Sequence, residues 1–318
     1  MRAFYCHHFV LPLPDGHSFP MAKYARLHAR VVAMAPTLGI ALEEPPPASD
    51  ADLARAHDAG YIRAMSEGSA DPALMRRIGF PWSAAMVERS RRSSGGTMMA
   101  LRAALAGEGI AVNLAGGTHH AGPARGGGYC VFNDAAVAAR HVQALGLARR
   151  VLVVDLDVHQ GDGTALIAAG DDSLFTFSMH SARNYPAVKP ASDLDVALPD
   201  GTGDAAYLDA LALHLPQAIA RSRADAVVYL AGADPFIGDR LGHLALTKPG
   251  LAERDRQVLA ACRRHGLPLA VCMAGGYAPE VEDIVDIHAA TVQLAAGHHR
   301  ALGDARREAA QTRPAGAR

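Results

Sequence analysis

The residues best able to do chemistry sit in Val151-Leu-Val-Val-Asp-Leu-Asp-Val-His-Gln-Gly-Asp-Gly163. The stretch opens apolar and β-branched, as a strand buried on both faces does. Asp155, Asp157 and His159 then fall at alternate positions, and alternate residues of an extended chain share a side. Two carboxylates and an imidazole would converge at the strand's C-terminal end. Burying them without a partner is costly, and a bound cation is the usual remedy. Asp234, set before Pro235 after another apolar run, completes a set of two aspartates and one histidine. Three protein ligands with a position left open is the arrangement of catalytic zinc. With no thiolate in the set, iron(II), cobalt and manganese also suit these donors. An ion held this way polarises a carbonyl and a water. The bland alternatives are an acidic strand end that caps the next helix and, for Asp234, a turn aspartate.

His119-His120 follows Gly116-Gly-Thr118 at the end of another apolar run. Asp155 and Asp162 are their natural partners. A carboxylate on one imidazole nitrogen fixes the tautomer, orients the ring and raises its pKa. A histidine so held can take a proton from water and return it to a leaving amine. Tyr277, after Gly275-Gly276, is placed to hydrogen-bond the oxyanion of a tetrahedral intermediate. Arg125-Gly-Gly-Gly-Tyr129 reads as a flexible wall whose backbone can approach a substrate chain, and it lacks the order and the Lys/Ser of a phosphate loop. Cys130 is the one candidate nucleophile, and nothing beside it marks it as activated. The chemistry these side chains add up to is metal-assisted amide hydrolysis.

The elements that must position them follow a regular pattern. Strand-like runs at 110–115, 151–156, 174–179, 226–231 and 268–273 alternate with helical stretches at 135–145, 207–221, 250–264 and 281–296. That alternation predicts a mostly parallel sheet between helical layers, an α/β/α sandwich. Ligands of such sheets bind beyond the carboxyl ends of the strands, where all five runs deliver polar or glycine-rich segments. Before residue 110 the chain offers the loop 11–20, a helix over 21–34 and a proline connector over 44–50 that caps a helix from Ala51. One domain over residues 1–300 is expected, with 301–318 a polar, frayed tail. Cys6-His7-His8, His28, His57, His298 and His299 read as packing or surface residues.

Composition narrows the classes. The 318 residues are 50% hydrophobic and carry a formal net charge of -1, which gives no support to a nucleic-acid-coating role. No apolar run reaches membrane-spanning length, and the start lacks a secretory pattern. Four cysteines without a CxxC pair point to a reducing, cytoplasmic setting.

Gly116-Gly-Thr-His-His, Gly127-Gly-Tyr-Cys, Asp155-Leu-Asp-Val-His-Gln-Gly-Asp-Gly-Thr164, Ala231-Gly-Ala-Asp and Ala274-Gly-Gly-Tyr together resemble the histone deacetylase/acetylpolyamine amidohydrolase superfamily, of arginase-type fold, over about residues 5–296. Gln160, Gly238-Asp-Arg-Leu-Gly242, the glycine triplet and Phe19-Pro-Met-Ala-Lys-Tyr24 make the class IV branch the nearest in kind. The resemblance implies zinc held by Asp157, His159 and Asp234. It implies His120 as general base and then acid, oriented by Asp162, and His119, paired with Asp155, as its electrostatic partner. Tyr277 becomes the carbonyl-polarising hydroxyl. Gly128 and Tyr129 would line an acyl-lysine tunnel, Gly128 accepting the amide N–H through its carbonyl, with Tyr185 as the second tunnel aromatic. It further implies a structural potassium held by the Asp155 carboxylate, the Asp157 and His159 carbonyls, Ser178 and the Met179 carbonyl. The rim acid that grips peptide backbone in some members has no clear counterpart over 80–92. The expected activity is removal of an acyl group from Nε-acyl-lysine of a protein or peptide. The alternatives are the same chemistry on an acetylpolyamine or other small acylated amine, and a silent acyl-lysine binder, which the complete set of site residues disfavours.

Overall fold

A computed structural model describes residues 1–311. Its strands are β1 Arg2–Phe4, β2 Ala41–Glu43, β3 Ile110–Asn113, β4 Val151–Asp155, β5 Leu174–Ser181, β6 Leu194–Leu198, β7 Ala226–Leu230 and β8 Leu269–Cys272. They form one eight-stranded sheet in the order β2-β1-β3-β8-β7-β4-β5-β6. Every pairing is parallel, so all strands present their carboxyl ends to one edge.

The helices are α1 Ala22–Leu38, α2 Asp50–Leu53, α3 Ala59–Glu67, α4 Pro72–Ile78, α5 Ala84–Ala103, α6 Asp134–Ala144, α7 Asp162–Ala168, α8 Asp204–Ser222, α9 Lys248–Arg264 and α10 Val281–Gln311. The period-2 alternation of the strands sorts them into two layers. Leu152 and Val154 of β4 pack with Leu27 of α1, Leu211 of α8, Val258 of α9 and Ile284 of α10. Val151 and Val153 face the other way, onto Met86 and Met98 of α5 and the alanine face of α6. Central strands buried on both sides have no polar face to offer, which is why β4, β7 and β8 read as unbroken apolar runs. The proline connector lies so close against α5 that a Cβ at Gly95 would sit 1.9 Å from the Pro46 carbonyl oxygen.

One buried ionic group braces the site from below. Arg254 of α9 pairs with Asp255 at 2.8 Å and donates to the carbonyls of Leu156, at 3.3 Å, and Gly232, at 2.6 Å. It thereby ties together the two loops that carry the acidic residues.

Three strands escape the sequence pattern. β1 and β2 have three residues each, and β6 alternates half-buried with exposed residues at the sheet edge. The expected frayed tail is corrected in part. α10 runs on to Gln311, and Arg306 donates to the Gly107 carbonyl. The rest of that tail, 312–318, lies outside the described residues. Among the described residues no helix is long and apolar enough to cross a membrane.

Candidate active site

β4 ends at Asp155, whereas alternation would need the strand to run on to His159. Asp157 and His159 therefore lie in the loop between β4 and α7, and that loop, not a strand face, brings them together. Backbone donors shape it. Asp155 Oδ1 accepts from the Asp157 N–H at 3.2 Å, and Asp157 Oδ1 accepts from the His159 N–H at 3.0 Å. Asp234, just beyond β7, accepts through Oδ1 from the Val158 N–H at 3.0 Å. Asp157 Oδ2 accepts from the Gly275 N–H at 2.8 Å.

Among the described residues Asp157, His159 and Asp234 form a buried donor group whose ligand atoms lie within 4.8 Å of one another. The His159 Nδ1 atom stands 3.0 Å from Asp157 Oδ1 and 3.4 Å from Asp234 Oδ2. The remaining oxygen, Asp234 Oδ2, is buried with no hydrogen-bond partner. Burial and the Asp157 charge push the Asp234 carboxyl up to about 7. Burial pulls His159 down, yet the facing Asp157 and Asp234 carboxylates carry it to about 10. Protons thus gather where the acids crowd, and an orphaned oxygen faces the same point. A divalent cation would replace those protons and satisfy that oxygen, so the donor set fits a metal. Glycine is required at the rim of the cradle, since a Cβ at Gly275 would fall 1.9 Å from Asp234 Oδ2.

The two histidines follow β3 on a loop clamped by Asp134, at the start of α6. Its carboxylate accepts from the backbone N–H groups of Gly117, at 3.0 Å, and Thr118, at 2.6 Å, and from the Thr97 hydroxyl at 2.5 Å. The expected pairs form: His119 Nδ1 lies 2.7 Å from Asp155 Oδ2, and His120 Nδ1 lies 2.6 Å from Asp162 Oδ1. Burial lowers His119, but the Asp155 and Asp157 carboxylates outweigh it and raise the ring to about 9. His120 falls to about 4 through burial and the neighbouring His119 charge, against the pull of Asp162.

Tyr277 is delivered by a turn in which Ala274 has φ 58 and Gly276 φ 149. Its N–H donates to Asp239 Oδ2 at 2.6 Å and its carbonyl accepts from Arg240 Nε at 3.0 Å. Burial, reinforced by Asp157 and Asp234, pushes the phenol well above its ordinary range, so it stays a donor. Tyr277, Gly128, Tyr129 and Tyr185 line one cavity of about 160 Å³ together with His119, His120, Asp157 and His159. Gly128 passes so close to the base that a Cβ there would lie 2.4 Å from His120 Cδ2. The Tyr129 hydroxyl shares a hydrogen bond with Ser18 Oγ at 2.7 Å, and the Tyr185 ring meets His120 edge-on at 4.8 Å. Ser178 lies beside Asp155 in the β4–β5 register, with its hydroxyl 2.9 Å from His180 Nδ1, and Met179 follows it on β5. Cys130 is buried, its thiol pushed well up, and it donates to the Gly128 carbonyl; it is no thiolate nucleophile.

Sequence reasoning missed three contributors. Asp134 clamps the histidine loop. Lys23 is buried with its ammonium on the Gly276 carbonyl at 3.2 Å and 5.2 Å from the centre of the Tyr277 ring. Arg125 donates from Nη2 to Asp162 Oδ2 at 2.5 Å. Asp134, beside Asn133 just past the glycine-rich loop, carried the signal of a helix start, while Lys23 and Arg125 stood inside motifs quoted above without a site role of their own.

A parallel three-layer α/β fold with a buried aspartate–histidine group, two histidine–aspartate pairs and a tyrosine at one cavity defines a metal-site hydrolase class. The comparisons agree. A family model described as histone deacetylase domain matches residues 17–292. An uncharacterized protein of Picosynechococcus sp. is 45% identical over 88% of this chain and 93% of its own. Histone deacetylase 2 of Arabidopsis thaliana is 30% identical over 82% of this chain and 70% of its own. The crystal structure of the HDA15 HD domain superposes with a TM-score of 0.79 at 21% identity, covering 93% of this chain and 91% of that one, a likeness of fold. The chain belongs to the histone deacetylase family.

Proposed function

We propose that this family hydrolase is a zinc-dependent deacylase that cleaves the amide of Nε-acyl-lysine. The observation that carries the reading is the convergence of His120, His119 and Tyr277 on the Asp157–His159–Asp234 group at one narrow cavity. Zinc held by those three residues supplies Lewis-acid polarisation of the scissile carbonyl and of water. His120, with Nδ1 committed to Asp162, keeps Nε2 free to take a proton from the attacking water. The Tyr277 hydroxyl donates to the carbonyl oxygen as negative charge builds there. His120 then returns its proton to the departing nitrogen as the C–N bond breaks, releasing carboxylate and lysine. His119, paired with Asp155, is the electrostatic partner that offsets the developing anion. The Gly128 carbonyl accepts the substrate amide N–H, and Tyr129 and Tyr185 flank the lysine methylenes.

Asp155 and Ser178, adjacent across two strands, with Met179 beside them, support a structural potassium as part of the same reading. Buried, unpaired cysteines support a cytoplasmic setting, and the motifs named above support placement near the class IV branch. The test is hydrolysis of one lysine peptide carrying acetyl, lactyl, octanoyl or myristoyl groups, with acetylspermidine alongside. Chelator-sensitive turnover of a peptide upholds the proposal and names the acyl group. Turnover of acetylspermidine with every peptide silent overturns it in favour of a small acylated amine.

A further inference from the structure

Asp162 uses both of its oxygens on side chains: Oδ1 meets His120 Nδ1 at 2.6 Å and Oδ2 meets Arg125 Nη2 at 2.5 Å. The carboxylate is 3% exposed and the arginine 37%, so the guanidinium spans from the buried pair to the surface. Its stem is guided across Gly122, where a Cβ would come within 3.3 Å of Arg125 Cγ. Its carbonyl accepts from the Gly122 N–H at 2.9 Å. Arg125 also opens the Gly126–Gly128 run whose end, with Tyr129, lines the cavity. A carboxylate bonded on one oxygen can swing about its Cβ–Cγ bond. Charge-assisted bonds on both oxygens fix its plane. Fixing that plane fixes the His120 Nδ1–H and, with it, the direction of Nε2.

We propose that Arg125 is a positioning residue. It locks Asp162, and through Asp162 the His120 ring, and it ties that lock to the loop forming the cavity wall. The inference rests on the reading of His120 as the proton carrier.

The test compares wild type, Arg125→Ala and Arg125→Lys on the acyl-lysine peptide found active above, with and without added guanidinium. The low-field proton resonance of His120 Nδ1–H is followed in parallel, assigned by its absence from His120→Ala. Arg125→Ala is expected to lower kcat 10–100-fold at unchanged KM and zinc content. Guanidinium should restore part of kcat to Arg125→Ala and none to Asp162→Asn, and Arg125→Lys, which keeps the stem on Gly122, should lose less. The resonance should broaden or vanish in Arg125→Ala. Because it is read whether or not a peptide is hydrolysed, it tests the lock even if the deacylase reading fails. Wild-type kcat with a sharp resonance in Arg125→Ala overturns the proposal. So does a loss carried wholly in KM and untouched by guanidinium, which would make Arg125 a support of the wall alone.

Discussion

His119–Asp155 and His120–Asp162 are the same chemical pair, built from adjacent histidines whose ring centres lie 4.1 Å apart. Their environments drive them to opposite states. Behind His119 stands a second carboxylate, Asp157, 3.8 Å from Nε2, and the ring is raised to about 9. Burial lowers His120 first, and the neighbouring His119 charge adds to it against the pull of Asp162, so that ring falls to about 4, while the far oxygen of Asp162 is taken by Arg125. The two rings are thus pushed in opposite directions from one starting value. Two titratable groups pushed apart by their surroundings are how a single site divides acid and base roles. The carboxylate partner is the same in both pairs; what differs is a second acid, Asp157, facing His119 and a neighbouring charged ring facing His120.

The comparison breaks most severely if the ground beneath both pairs is removed. Asp234→Ala leaves two donors, and the variant should lose its zinc on dialysis and its activity with it. Full zinc occupancy by elemental analysis would remove Asp234 from the metal set. A sharper division comes from the histidines. His120→Ala should lower kcat by roughly 10²–10⁴, the range for losing a general base. His119→Ala should cost less, about 10–100-fold, as an orienting and electrostatic partner. The reverse order would exchange the two roles. Tyr277→Phe, which spares both pairs, should retain the metal and lower turnover by roughly 10²–10³. Turnover near wild type would show that the phenol does not meet the oxyanion.

How much of this was legible in the sequence follows the range of the interactions. Asp155, Asp157, His159, Asp162 and the histidine pair are read from short spacing and from strand ends, because local geometry confines where such side chains can go. Even there the residues come together by another route than alternation: β4 stops at Asp155, and backbone donors in the loop complete the convergence. The central strands were legible because burial on both faces writes itself as an apolar run, whereas three-residue edge strands leave no periodicity to detect. Arg254, Lys23, Asp134 and Arg125 were not legible as site residues. Each acts across distant segments, Arg254 on carbonyls 98 and 22 residues away and Lys23 on one 253 residues away. Arg125 stood in a motif already singled out, but only the fold reveals that its partner is Asp162.

His57 supplies the control for both pairs, a buried histidine with backbone groups where they have acids. Its Nδ1 lies 2.8 Å from the Gly122 carbonyl and its Nε2 accepts from the Asn133 N–H at 2.9 Å, so the ring is neutral with its proton on Nδ1. Burial lowers it to about 4, opposed by the Gly122 and Pro123 carbonyls and by Asp58. The sign follows from linkage. Below its ordinary value near 6.5 the unfolded chain binds a proton that the folded ring refuses. The contribution is complete above that value and is lost as pH falls from there toward 4. Protonation would also take the acceptor from the Asn133 N–H, which anchors the start of α6 beside Asp134. His57→Gln can neither gain that proton nor impose that penalty. Its stability, measured by denaturant unfolding between pH 7 and 4, should therefore fall less steeply than that of wild type, by about one proton in the linkage slope. An unchanged slope would mean that the imidazole takes up its proton without leaving the fold, and that burial does not govern a histidine here when no carboxylate is bonded to its ring.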